Sequence, residues 1–183
     1  MKQLLGQPRY HKISAKSASH GAIFLGSFPT KVDISQLIKK EKVESFLSLN
    51  DDWECKPRGF FIPSHETMAA KNPSLQPSAP PAITDSIAYG RIPVKDHSPL
   101  CVQDMDTAAD FIHKQVSGKK NIYVHCRAGV GRSALAISAY LIKYDKQTPK
   151  DVISLIKDKR KISTIDKKMT PLTDYESYLK KKK

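Results

Sequence analysis

A four-residue run of apolar and aromatic character, 122–125, passes directly into Cys126-Arg127-Ala128-Gly129-Val130-Gly131-Arg132-Ser133 and then into a strongly apolar segment, 134–144. Four such residues suit a strand buried on both faces, two glycines let the chain curl, and eleven positions rich in Ala, Ile, Leu and Tyr suit a buried helix. A strand, a tight loop and a helix in that order are the signature of an α/β layer structure.

The rest of the chain agrees. Short apolar runs at 22–26 and 45–49 read as buried strands, and 87–94 reads as a strand whose Pro93 marks its end or an edge. Between them, 34–42 has Ile34, Leu37 and Ile38 at helical spacing with Asp33 as the expected N-cap, and 102–116 carries a stripe of Met105, Ala109, Ile112 and Val116. Two further helices are expected over about 149–161 and 171–181, each with Pro at the first helical position after Thr148 or Thr170 as N-cap. Strands alternating with helices and no internal repeat imply one α/β domain, a central mostly parallel sheet flanked by helices. Ligands of such sheets bind beyond the carboxyl ends of the strands, where 126–133 falls.

Two segments depart from this pattern. Residues 1–20 form a basic extension, with no acidic residue before Asp33, so the folded unit is expected over 21–183. Within it, 55–86 holds six of the twelve prolines and reads as an inserted loop.

Composition narrows the function classes. No apolar run approaches the roughly 18 to 20 residues of a membrane span, the best being 134–142. The N-terminus has no secretory apolar core. Three cysteines at no metal-ligand spacing argue against a disulfide framework. A reducing, cytoplasmic setting is expected; lysines alternating with serines near the start resemble an organelle transit peptide in part, which keeps a mitochondrial one as the alternative. The chain carries 31 basic and 18 acidic residues, a net +13. Only six of the basic residues are Arg, and aromatics do not interleave with the lysines, so nucleic acid is not the expected partner. Ten basic against four acidic residues fall in 157–183, which reads first as a solvated helix face with a frayed lysine tail and, as the alternative, as a field suited to anionic substrates or an acidic membrane surface.

The loop itself carries chemistry. Backbone N–H groups curling around Gly129 and Gly131, reinforced by the start of a helix, make a nest for a dianion. A thiol at its base, Cys126, is favoured as the thiolate nucleophile. Arg132 returns to the same cradle with a planar fork that matches two phosphoryl oxygens. His-Cys-x-x-Gly-x-x-Arg-Ser arises by chance in a chain of this length about once in 100,000.

His125 to Ser133 resembles the signature of the cysteine-dependent protein tyrosine phosphatase superfamily, and Ser133-Ala134 looks like its dual-specificity branch. The resemblance spans roughly 20–180. It implies a phosphocysteine intermediate on Cys126, phosphate held by Arg132 and the backbone of Arg127, Ala128, Gly129, Val130 and Gly131, Ser133 assisting the departing thiolate, and His125 orienting the loop. No cofactor and no metal are implied. The dual-specificity pattern places an acidic general acid about 30 residues before the nucleophile, where Asp96 stands after a predicted strand. Asp104 and Asp106 flank Met105 and read as solvated or capping groups, and His97 as an exposed loop residue.

A second resemblance concerns substrate. Asn50-Asp51-Asp52-Trp53-Glu54 is similar to the Asn-Glu-Glu-Tyr-Glu segment of the mitochondrial-type phosphatidylglycerophosphate phosphatase group, which also shares Tyr-Val-His-Cys-Arg-Ala-Gly. Arg127 can serve as the extra basic residue that lipid-acting members carry, whereas Val130 departs from their pattern. The leading expectation is hydrolysis of phosphotyrosine and phosphoserine or phosphothreonine in proteins, favoured by Ala128-Gly129-Val130-Gly131. The alternative is a phospholipid headgroup, with the same catalytic residues and the lysine surface on a membrane. A non-catalytic phosphate-binding module fits poorly, because the Cys, Arg, Ser and Asp set is complete.

Overall fold

All five residues of β5 (Asn121–His125) are buried, a state that a strand reaches in the middle of a sheet covered on both faces. In the computed structural model, which describes residues 8–14, 17–55 and 87–182, β5 pairs in parallel with β2 (Ile23–Gly26) on one side and β3 (Val43–Ser48) on the other. Beyond β3 lies β4 (Ala88–Arg91), also parallel. The far edge is β1 (Tyr10–Ser14), antiparallel to β2, giving the order β1-β2-β5-β3-β4. Gly26, His125, Ser48 and Arg91 are in register across the four parallel strands, so those strands finish level. The segments that build the site begin just beyond that line.

Alternate side chains of the strands feed two cores. Ile23, Leu25, Leu47, Ile122 and Val124 pack towards α3 (Val102–Ser117), α4 (Arg132–Lys143), α5 (Pro149–Lys159) and α6 (Met169–Lys181). Phe24, Phe46 and Tyr123 face the other way with Ile34 and Leu37 of α1 (Lys31–Lys39) and with Cys55, which ends the single turn α2 (Asp52–Cys55). Each fully buried aliphatic or aromatic side chain contributes about 1.5 to 3 kcal/mol. Asp106 joins the helices on the larger core: it accepts from Lys143 Nζ (2.6 Å), Lys182 Nζ (3.0 Å) and the Tyr175 hydroxyl (3.1 Å).

Several sequence expectations are corrected. The N-cap of α1 is Thr30, not Asp33, which occupies the third helical position and closes a capping box: the Thr30 N–H donates to Asp33 Oδ2 (2.7 Å) and the Asp33 N–H to Thr30 Oγ1 (3.2 Å). Thr170 is no cap either. A 3₁₀ turn, Ile165–Lys168, runs straight into α6 at Met169, leaving Pro171 in the first turn where its missing N–H costs nothing. Asp106 is not solvated, for the ion pairs above bury it. Thr148 does cap α5 ahead of Pro149 as expected. Tyr10–Ser14, inside the stretch read as a basic extension, supplies the edge strand. The proline-rich stretch after Cys55 lies outside the described residues.

Candidate active site

Cys126 follows the last residue of β5, and its Sγ lies 3.3 Å from Ser133 Oγ, across the loop and at the first turn of α4. Both are buried. Between them the backbone is held from outside, carbonyl by carbonyl. The Phe28 N–H donates to Arg127 O (3.2 Å), Arg160 Nη2 to Ala128 O (3.1 Å), Arg160 Nε to Gly129 O (2.6 Å), and the Thr164 N–H with Ser163 Oγ to Val130 O (2.9 Å each). A trans peptide points its N–H opposite to its C=O. With four consecutive carbonyls tied outward, the N–H groups of residues 128–131 face the concavity. Gly131 caps α4 without a side-chain bond, so the first N–H groups of that helix stay free for an anion as well.

Gly129 is needed twice over. Its φ is +67°, and a Cβ there would lie 2.3 Å from the backbone carbon of Gly26. The end of β2 and the loop therefore touch backbone to backbone.

Arg132 is 5% exposed and fully organised. Glu54 takes both terminal nitrogens, Nη1 at 2.7 Å and Nη2 at 2.9 Å. Nη1 also donates to Val94 O (2.6 Å) and Leu49 O (3.2 Å), while Nη2 reaches Asp96 Oδ1 (2.8 Å). Burial pushes the Glu54 carboxyl up, but Arg132 and the Asp51 N–H more than reverse this and hold it below the usual carboxylate value. Arg132 itself is driven further above its already high value by Glu54, Cys126 and Asp96, against the opposing effect of burial.

Asp96, just beyond β4, bridges two guanidinium groups: Arg132 through Oδ1 and Arg127 Nη1 through Oδ2 (3.2 Å). Burial raises its carboxyl, and Arg132, Arg127 and His97 together bring it below the ordinary value. His97 has φ +65° and a side chain 95% exposed, with Nε2 3.7 Å from Asp96 Oδ2. On the rim, the Arg127 guanidinium lies 5.7 Å from the ring centre of Trp53, a residue that is 52% exposed. Arg91 pairs with Asp52 and donates to Asn50 O (3.2 Å), tying α2 to β4 and setting Glu54 on Arg132.

His125 is fully enclosed, edge-on to Phe28 and stacked on Tyr123. Burial, with Arg132 adding to it, pushes its pKa down to about 3, so the ring is neutral and shapes the loop by packing. Asp104, in the first turn of α3, does not join the cluster; its N–H donates to Cys101 Sγ (3.3 Å), the cap of that helix.

The fold thus brings together Cys126, Ser133, Arg132, Arg127 and Asp96. The sequence reading assigned no role to Glu54, Arg91 or Arg160. A carboxylate just beyond a parallel strand, in Asn50 to Glu54, was the available signal for the first; nothing local marks Arg160. Among the described residues no group of three or more His, Cys, Asp or Glu is arranged to hold a metal ion, and no helix is long and apolar enough to cross a membrane.

Residues 68–178, well over half of the chain, match the family described as dual specificity phosphatase, catalytic domain. The chain belongs to the dual specificity phosphatase family. Its similarity to phosphatidylglycerophosphate phosphatase PTPMT2 of Arabidopsis thaliana is 30% identity over 128 residues, 69% of this chain and 46% of that protein. To human dual specificity protein phosphatase 26 it is 50% identical over 58 residues, 31% of this chain and 27% of that one. The chain spans about half, or less, of the length of these relatives. Among solved structures, PTPMT1 in complex with PI(5)P superposes with a TM-score of 0.70 at 18% identity, covering 96% of this chain and 99% of that one. That match shows the dual specificity phosphatase fold, with its single mostly parallel sheet.

Proposed function

We propose that this dual specificity phosphatase hydrolyses a phosphomonoester on an anionic phospholipid headgroup, through a phosphocysteine intermediate. Cys126 Sγ attacks phosphorus as the ester P–O bond breaks, and Asp96, which takes up a proton once the bound phosphoryl group has drawn Arg132 away from it, gives that proton to the departing oxygen. Water then attacks the phosphocysteine, Asp96 takes back the proton, and the P–S bond opens to release inorganic phosphate while the Ser133 hydroxyl donates to the leaving thiolate. The N–H groups of residues 128–131 and Arg132 carry the phosphoryl charge. The catalytic unit spans 21–183, with β1 added at its edge.

The observation that carries the lipid reading over the protein one is the rim. A half-exposed indole with a guanidinium over it, beside the entrance, is the amphipathic and cationic pairing that settles at a headgroup layer. The net charge of +13 favours peripheral contact with the same acidic surface. The relative matched over 69% of the chain is named for a lipid substrate, a human relative matched over 80% is named for both a lipid and protein tyrosine, and dual specificity protein phosphatase 26 matches over 31%. That shorter match and the loop interior Ala128-Gly129-Val130-Gly131 support the second reading, phosphotyrosine and phosphoserine or phosphothreonine in proteins.

Rates on short-chain phosphoinositides and phosphatidylglycerophosphate, measured beside those on phosphopeptides, test the choice. The expected kcat/KM is at least about tenfold higher on lipid, and Trp53→Ala lowers turnover on vesicles while sparing a soluble aryl phosphate. Higher rates on phosphopeptides, insensitive to Trp53, would transfer the assignment to the protein reading.

A further inference from the structure

Arg160 follows α5 and is 2% exposed, the largest fully buried side chain of the described residues. Burial pushes its guanidinium below the ordinary value, offset in part by Tyr123 and Cys126. A buried guanidinium is ordinarily matched by a carboxylate. No carboxylate among the described residues pairs with this one. Its partners are neutral acceptors: Gly129 O (2.6 Å), Ala128 O (3.1 Å), His11 Nδ1 (2.9 Å) and Pro8 O (3.3 Å).

Two of these belong to the phosphate loop and two to the N-terminal strand segment. On the loop side, Nε and Nη2 grip adjacent carbonyls from behind, which turns the N–H groups of Gly129 and Val130 towards the concavity. Those peptides flank the one positive-φ residue of the loop, where the backbone is least self-determined. On the other side, Nη1 rests on His11 of β1 and on Pro8, more than 140 residues away in sequence.

We propose that Arg160 is a positioning residue of the phosphate loop, aiming two of its N–H groups at the bound phosphoryl group and supplying a positive charge behind them, and that docking of β1 through His11 holds Arg160 in that pose. With no carboxylate beside it among the described residues, the charge is then matched by the phosphate dianion. The N-terminal edge strand and the segment after α5 thereby meet at the back of the site. This rests on reading the loop as a phosphate cradle, and does not depend on whether the substrate is lipid or protein.

The test uses the full chain, with inorganic phosphate as the probe. Arg160→Met and Arg160→Lys are compared with the parent for phosphate inhibition constant, for kcat and KM on an aryl phosphate, and for the rate at which iodoacetamide alkylates Cys126 at neutral pH. In Arg160→Met, phosphate affinity is expected to fall by at least about tenfold, the scale for loss of preorganised oxyanion donors, with a lower kcat and slower alkylation. Arg160→Lys, which keeps the charge but cannot span two carbonyls, recovers alkylation more than phosphate affinity. A merely structural Arg160 would lower the melting temperature and leave all three readouts within twofold in the folded protein, which overturns the proposal. His11→Ala serves if the Arg160 variants do not fold: it leaves Arg160 in place, and a two- to threefold loss of phosphate affinity is expected from one weakened hydrogen bond. No change there removes β1 from the proposal. Alkylation and phosphate binding are read without turnover, so failure of the lipid or protein assignment leaves them interpretable.

Discussion

Glu54 engages both terminal nitrogens of Arg132, at 2.7 and 2.9 Å, so the guanidinium plane is set before any phosphate arrives. Glu54 spans the Nη1 and Nη2 edge of the fork and Asp96 shares Nη2 with it, while Nε carries no bond among the described residues. A phosphoryl group bound to Nε and Nη2 together would have to displace Asp96 from Nη2.

Arg132→Lys keeps the charge and gives up the fork. Turnover on a soluble aryl phosphate is expected to drop at least about a hundredfold, near 3 kcal/mol of transition-state stabilisation. Glu54→Gln keeps the shape but weakens the grip, and is expected to lower kcat/KM about tenfold, because a neutral amide bonds Arg132 less strongly. Steady-state kinetics on the two variants check both. A Glu54→Gln enzyme equal to the parent would show that the loop alone orients Arg132.

Asp96 occupies the guanidinium that the proposed mechanism assigns to phosphate. Asp96→Asn should therefore bind inorganic phosphate more tightly, about three- to tenfold for a charge interaction near 1 kcal/mol at a partly buried site, even as kcat falls. The fall in kcat is expected to be larger for an alkyl phosphate than for an aryl phosphate, since protonation matters most when the oxygen leaves badly. Weaker phosphate binding in Asp96→Asn would contradict the displacement.

His125 links the site to acid stability. Its pKa is pushed from 6.5 to about 3 in the folded chain, so the folded state favours the neutral ring. The stabilisation is complete above 6.5 and is lost as pH falls through the interval towards 3. At pH 5 the loss amounts to about 2 kcal/mol relative to pH 7.5. Glu54, Asp96 and Asp106, all held low, lose stabilisation in the same direction nearer pH 4. Urea unfolding of the parent and of His125→Phe at pH 7.5 and 5 isolates the His125 part: the variant should show a clearly flatter dependence over that interval.

Asp106 tests the scaffold apart from the chemistry. With Lys143, Lys182 and Tyr175 all converging on it, Asp106→Ala is expected to cost about 2 to 3 kcal/mol of stability. The rate on a soluble ester at 25 °C should be unaltered. Full stability in the variant would mean that the helices of the larger core hold together by apolar packing alone.

How far the chain could be read in advance follows the range of the interactions concerned. The strand, loop and helix around Cys126 were legible because glycine placement, apolar runs and the Arg132 spacing act within a dozen residues. The spacing of the dual-specificity pattern singled out Asp96, which the fold brings to Arg132, and α3 was legible from its stripe of Met105, Ala109, Ile112 and Val116. Strand edges were less so: with both faces of β2, β3 and β5 covered, alternation leaves no trace in hydropathy, and β1 looked like part of a charged tail until it paired with β2. The partnerships that complete the site belong to tertiary structure. Glu54 meets Arg132 across 78 positions, and Arg160 reaches the loop across 31 and His11 across 149. The Glu54 pair exists because four parallel strands finish in register, which brings the segments that follow them to one rim, and the Arg160 pairs because α5 ends behind the loop beside β1. Residue type and spacing therefore determined that Cys126, Arg132 and Ser133 share one loop between a buried strand and a buried helix. Sheet register and helix packing decided which charges face them, since electrostatic contact depends on distance in space and leaves no periodic mark along the chain.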